Sequence, residues 1–119
     1  MSKIQFSHLW TNQQPSLFPH LFQTNPKQEF LQRLKGKGKK YKRYLGSPLR
    51  YAGGKSWAVG YVIERLPENI KRLVSPFFGG GSIEIAIAKE LGIEVIGFEI
   101  FDILVNYWNI QIISIEKNV

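Results

Sequence analysis

No cysteine occurs in this chain of 119 residues, which removes disulfides, thiolate catalysis and cysteine-based zinc sites from consideration. The two histidines, His8 and His20, stand in a polar stretch with no acidic neighbour. They read as unpaired surface residues, and no metal site is expected. No apolar run approaches the roughly 20 residues that a membrane span needs, and the N-terminus lacks the basic-then-apolar pattern of a secretory leader. A soluble, cytoplasmic protein is the expectation. Aspartate is nearly missing, with Asp102 standing alone, and the six prolines, at positions 15, 19, 26, 48, 67 and 76, are never adjacent. There is no internal repeat. The length suits one small domain. Its 44% of hydrophobic residues can build a core, although a domain of this size buries only about 60–70% of its unfolded surface.

What the chain does have is charge, unevenly spread. Residues 1–60 hold eleven Lys and Arg against one acid, Glu29, a balance of +10, whereas residues 61–119 hold five against eight, a balance of −3. Segregation of this kind predicts a basic arm on a near-neutral domain, and a polyanion is the usual partner of such an arm. Residues 1–27 are rich in Gln, Asn, Ser and Pro without a period of 2 or 3.6, and read as irregular. A short helix is predicted over 28–35, with Phe30, Leu31 and Leu34 on one face. The alternating Gly and Lys of residues 35–43 predict a flexible, solvated segment with Tyr41 and Tyr44 interleaved. Its charges, Lys37, Lys39, Lys40, Lys42 and Arg43, are the candidate nucleic-acid contacts, because neutralising phosphates needs only mobile charge.

From residue 47 the character changes. An amphipathic helix is predicted over 56–66, with Trp57, Val59, Val62, Ile63 and Leu66 partly buried, ended by Pro67. A short strand over 72–75 leads into Pro76-Phe77-Phe78-Gly79-Gly80-Gly81. Ser82 reads as the N-cap of a helix to about Leu91, Glu84 complements its dipole, and Gly92 is a left-handed terminator. A second strand over 93–98 leaves Glu99 just past its end, and a long apolar helix follows over 102–115. Strand, glycine turn, helix, strand, helix makes a β-α-β unit with the usual right-handed crossover. It is the first half of a doubly wound α/β sheet, with two parallel strands as an incomplete sheet.

Two constellations carry chemistry. A glycine-rich turn after a strand lets a ligand approach bare backbone, and an acid ending the next strand accepts hydrogen bonds from a ribose diol. Here Glu99 follows Gly81 by 18 residues, close to the ~20 of that geometry. A dinucleotide site would want a glycine where Glu84 stands, and a carboxylate at that helix end would repel a pyrophosphate. S-adenosylmethionine has ribose and adenine without phosphate, and its sulfonium tolerates aromatics such as Phe77 and Phe78. The second constellation is Tyr51-Ala52-Gly53-Gly54-Lys55-Ser56. A P-loop would need a glycine at Leu49 and a strand before it, and has neither. A lysine offered by two glycines at a helix start can instead hold a carboxylate, such as the methionine end of that cofactor, with Tyr51 as a flat wall.

Together these motifs resemble a known family. Pro48-Leu49-Arg50-Tyr51-Ala52-Gly53-Gly54-Lys55 resembles the aromatic-Ala-Gly-Gly-Lys cofactor motif of Dam-like, adenine-N6-specific DNA methyltransferases. Ser75-Pro76-Phe77-Phe78-Gly79-Gly80-Gly81-Ser82 is similar to that family's Glu-Pro-Phe-x-Gly-x-Gly-Ser. Glu99-Ile100-Phe101 resembles its Asp-Ile-Asn, and Tyr107-Trp108-Asn109 its aromatic-Asn run. The resemblance spans roughly residues 47–109. It implies a partial Rossmann-like, S-adenosylmethionine-dependent methyltransferase fold over 47–119, behind an irregular basic arm over 1–46. It also implies that Tyr51, Gly53, Gly54, Lys55, Pro76, Phe77, Gly79, Gly81, Ser82, Glu99 and Ile100 bind S-adenosyl-L-methionine.

Departures accompany the likeness. Ser75 replaces the acid before Pro-Phe, Phe101 replaces Asn, and Tyr51 stands where Trp is common. The family's (Asp/Asn)-Pro-Pro-Tyr motif, which holds the extruded adenine, has no counterpart among these separated prolines, so no catalytic residue is assigned. The expectation is a donor-site portion of a DNA adenine methyltransferase, inactive alone, without catalytic motif or target-recognition domain. DNA is the expected partner, and a C-terminal polypeptide bringing those parts is a candidate second one. Two rivals stand beside this reading: an inactive truncated remnant, and a small nucleic-acid-binding module acting through the basic arm.

Overall fold

Two short strands, which bring Leu73 and Val95 to the core, and the helix between them organise the molecule. The computed structural model describes residues 2–6, 25–49 and 54–117. In chain order the elements are β1 (Ser2–Phe6), α1 (Pro26–Arg33), α2 (Val59–Glu64), β2 (Arg72–Ser75), α3 (Ser82–Leu91), β3 (Glu94–Glu99) and α4 (Asp102–Lys117). β2 and β3 pair in parallel, Arg72 opposite Glu94 and Ser75 opposite Gly97, with α3 as the connection. The expected β-α-β unit is therefore present. The helix α3 is buried over Ser82 and Glu84–Ala88, nearly all round, as a helix packed on several sides must be. It lies against β3, and α1 and α2 pack on it and on each other.

The sheet differs from expectation at the N-terminus. Ser2–Phe6, read as irregular, is a strand antiparallel to β3, with Ile4 opposite Gly97. The sheet order is β1-β3-β2, so the parallel pair is not alone and β3 is central. The cause is tertiary: Ile4 is 0% exposed, and α4 lies along β1 and β3. The backbone of five residues with little alternation finds its partners in a strand nine decades of sequence numbers away.

The basic segment is also a correction. It closes on itself, with the Gly36 amide donating to the Lys40 carbonyl (3.2 Å), the Lys42 amide to that of Leu34 (2.7 Å) and an antiparallel bridge between Lys35 and Tyr41. Tyr41 and Tyr44 are buried in the one core that also holds Phe30, Leu31 and Leu34 of α1, Val59 and Ile63 of α2, and the isoleucines of α3. Burying two aromatic rings outweighs the local flexibility of the glycines. The predicted arm over 1–46 is thus irregular neither at β1 nor at α1. The apolar face expected of α1 is in place, and the helix starts two residues earlier, at Pro26. The side chain of Asn25 accepts from the Lys27 amide as its cap.

Smaller differences have local causes. The helix α2 is shorter than residues 56–66, because a turn occupies 56–58, and that turn leaves Trp57 51% exposed rather than partly buried. Ser82 does not cap α3. Gly81 does, at φ 73°, because the Ile85 amide donates to the Gly81 carbonyl at 2.8 Å and begins the helix one residue sooner. Gly92 ends α3 in the left-handed region as expected, at φ 69°. Glu99 is the last residue of β3 rather than the first beyond it. No helix among the described residues is long and apolar enough to cross a membrane.

Replacing a fully buried isoleucine by alanine costs about 2–5 kcal/mol. Ile4→Ala is therefore expected to lower the unfolding free energy by that amount in urea titration. A loss under about 0.5 kcal/mol, the usual effect at a free surface position, would show that β1 does not contribute to the core.

Candidate functional site

The turn between β2 and α3 owes its shape to one aromatic ring. The Phe78 amide donates to the Phe98 carbonyl of β3 at 3.0 Å, and the Phe78 ring packs against Gly97, where a Cβ would fall 2.1 Å from its Cδ2. On its other side the ring meets Trp108 of α4 edge-on, centroids 5.4 Å apart. The Trp108 indole then donates to the Gly79 carbonyl at 3.2 Å, and the Ser47 hydroxyl to that of Gly80 at 3.1 Å. Gly81 must be glycine twice over: its φ is 73°, and a Cβ would lie 2.7 Å from Phe78 and 2.8 Å from Trp108.

Around this turn the fold gathers many of the residues singled out in the sequence. Gly54, Lys55, Phe77, Gly79, Gly81 and Ser82 line one cavity of about 70 Å³, together with Glu84. It meets a second cavity, of about 220 Å³, at Gly54, Gly80 and Ser82; Arg43, Ser47 and Trp57 line the far side of that one. Both lie at the carboxyl ends of the parallel strands, where open α/β sheets bind ligands. A larger cavity of about 460 Å³, between Lys27, Glu68, Leu91 and Ile93, sits at the opposite end of the strands and away from the glycine turn. The chemistry-bearing residues favour the smaller pair.

Other expected residues stand apart. Pro76, Glu99 and Ile100 line neither of the two cavities, and Ile100 is 78% exposed. Glu99 ends β3 next to Phe98, whose carbonyl anchors the turn. Tyr51 and Gly53 lie outside the described residues, as do His8 and His20.

Sequence reasoning used Glu84 as a partner of the helix dipole and as an objection to a bound pyrophosphate, not as a binding residue. In the structure its carboxylate accepts a hydrogen bond from the Ser75 hydroxyl at 2.6 Å, with the side chain turned into the cavity wall. A carboxylate thus stands at the end of β2 although residue 75 is not an acid. Glu84 is 7% exposed. Burial pushes its pKa above the ordinary carboxylate range, opposed by the Ser75 hydroxyl, its own backbone amide and the charge of Lys55. The readable signal was the pairing of a polar residue ending the strand with one in the first helical turn, flanking the same glycines.

The basic side chains have defined settings. The Lys39 ammonium sits 4.2 Å above the Trp57 ring, and Arg43 Nε donates to Ser56 Oγ at 2.8 Å. Lys40 is paired with Glu64; that hydrogen bond raises the lysine pKa and lowers that of the glutamate. Lys37 and Lys42 are exposed. Tyr41 and Tyr44, interleaved in the sequence, are core residues and offer no stacking face to a base.

The raised pKa of Glu84 has a consequence for stability. The native state holds that proton more tightly than the unfolded chain does. The contribution is therefore fully present below the ordinary glutamate pKa and lost as pH rises through the raised one. Glu84→Gln is expected to gain stability relative to the parent across that interval and to be no less stable at neutral pH, in urea titrations at several pH values. A difference between the two proteins that does not change with pH would contradict the burial effect.

Comparison with known proteins bears on what this arrangement belongs to. The family model of the D12 class N6 adenine-specific DNA methyltransferases matches residues 51–118. No curated protein and no solved structure matches the chain. The matched span runs from the glycine-lysine segment through both parallel strands and the whole of α4, more than half of the sequence. The chain belongs to the D12 class N6 adenine-specific DNA methyltransferase family.

Proposed function

We propose that this chain binds S-adenosyl-L-methionine at the glycine turn and serves as the methyl-donor side of adenine-N6 methylation of DNA. The observation that carries the reading is the convergence of Lys55, from the segment before α2, with Gly79–Ser82 around one cavity at the carboxyl ends of the parallel strands. The donor set fits the cofactor. Lys55 suits a carboxylate, bare glycine backbone admits close approach, and no phosphate has to sit beside Glu84. Glu99 is the ribose partner in this reading, Phe77 an apolar wall, and Tyr51 and Gly53 complete the segment of Gly54 and Lys55. When bound, the cofactor supplies an electrophilic methyl group on its sulfonium. The protein's own part is to hold and orient it and to exclude water.

The acceptor side needs an adenine taken out of the stack and held in line with the methyl group. The 119 residues contain no adjacent prolines to serve in such a motif. In this reading the adenine-holding and target-recognition parts are supplied from outside these 119 residues. DNA would meet the present chain through Lys37, Lys39, Lys42 and Arg43. Lys40, already paired with Glu64, would add less.

Calorimetric titration with S-adenosyl-L-methionine tests the cofactor site. Lys55→Ala and Glu99→Ala are each expected to weaken binding by about 1.5–3 kcal/mol, the worth of a hydrogen bond to a charged group. Equal affinity in all three proteins would overturn the assignment. For DNA, replacing Lys37, Lys39 and Lys42 by Gln should reduce the slope of log K against log salt by about 3, near 0.9 per phosphate contact. An unchanged slope would remove this segment from the DNA interface.

A further inference from the structure

Two residues of opposite charge line the same small cavity. Lys55 and Glu84 both line the space of about 70 Å³ beside the glycine turn. Their charges interact, yet among the described residues no ion pair within 4 Å joins them. The carboxylate is fixed rather than mobile: Ser75 at the end of β2 donates to its Oε2, and the first turn of α3 carries it. Burying a carboxylate is costly unless a cation comes to it. The cavity has room for a few water-sized groups and not for a purine, whereas its neighbour is about three times as large.

We infer that Lys55 and Glu84 together recognise the α-amino-acid end of the methyl donor, Lys55 its carboxylate and Glu84 its ammonium, with Ser75 positioning the glutamate. This rests on the cofactor reading above and goes beyond it by assigning the second charge of the zwitterion to a residue that no motif singled out. A lone lysine would accept any carboxylate. A lysine and a glutamate on one small cavity select a group bearing both charges on one carbon. The adenosine part is left to the larger cavity.

Four ligands separate the possibilities in calorimetric titrations of the whole chain: S-adenosylmethionine, S-adenosylhomocysteine, decarboxylated S-adenosylmethionine and 5′-methylthioadenosine. Glu84→Gln keeps the shape and the Ser75 contact. It is expected to weaken the first three by roughly 10-fold or more, a charged hydrogen bond's worth, and to leave 5′-methylthioadenosine, which has no amino-acid end, unchanged. Lys55→Ala should weaken the first two equally and spare the decarboxylated ligand. Loss confined to the two sulfonium ligands would place Glu84 against the sulfur and overturn the ammonium assignment. Unchanged affinity for all four, or equal loss for all four, would make Glu84 a structural residue and likewise overturn it. Failure of the parent chain to bind any of the four would instead overturn the cofactor reading itself, and this inference with it.

Discussion

Everything near the site depends on the placement of the Phe78 ring. Its amide is tied to β3, its ring packs against Gly97 and forms a T-shaped pair with Trp108, and Trp108 in turn holds the Gly79 carbonyl. Three elements, β3, α4 and the start of α3, are thereby locked to one turn. The result is a glycine loop with two carbonyls tied off and its bare face turned to the cavity. Loops of three glycines are entropically expensive to order; here the order comes from aromatic packing beneath the loop rather than from the loop's own residues.

The same arrangement explains which parts of the molecule could be read in the sequence. The parallel strands, α3 and α4 announce themselves through short apolar runs punctuated by glycine, and Gly92 terminates α3 where a terminator was expected. Those signals are local. β1 was illegible because Ser2–Phe6 alternates too briefly to stand out, and its meaning comes from a partner strand beginning at Glu94. Tyr41 and Tyr44 were read with the lysines around them, but their burial is decided by α1, α2 and α3 closing over them. Trp57 erred the opposite way, counted as apolar helix face and found outside, beneath Lys39.

In the site, sequence motifs identified the lysine and the glycine turn, and the fold brings both to one cavity. Glu84 escaped because in a linear reading a glutamate in the first turn of a helix is fully accounted for by the dipole. Only the Ser75 hydrogen bond and the burial reveal that its carboxylate faces inward. Glu99 had the opposite history: its spacing from the glycines is suggestive, while at the end of β3 it lines neither of the two cavities. The basic segment, folded into a closed loop, presents Arg43 at the rim of the larger cavity next to Trp57. Its charges are therefore carried on a scaffold, not on a tether.

The antiparallel pairing of Ser2 with Glu99 also dictates an order of events. On a ribosome, β1 emerges before β3 and cannot find its ladder until the residues of β3 have left the exit tunnel. Closing so long a loop carries an entropic penalty before any contact rewards it. Until then Ile4 has no core to enter, and β3 itself has one side unpaired. Among the described strands, β1 is therefore made before the strand that seats it, and Ile4 stays uncovered until β3 is available.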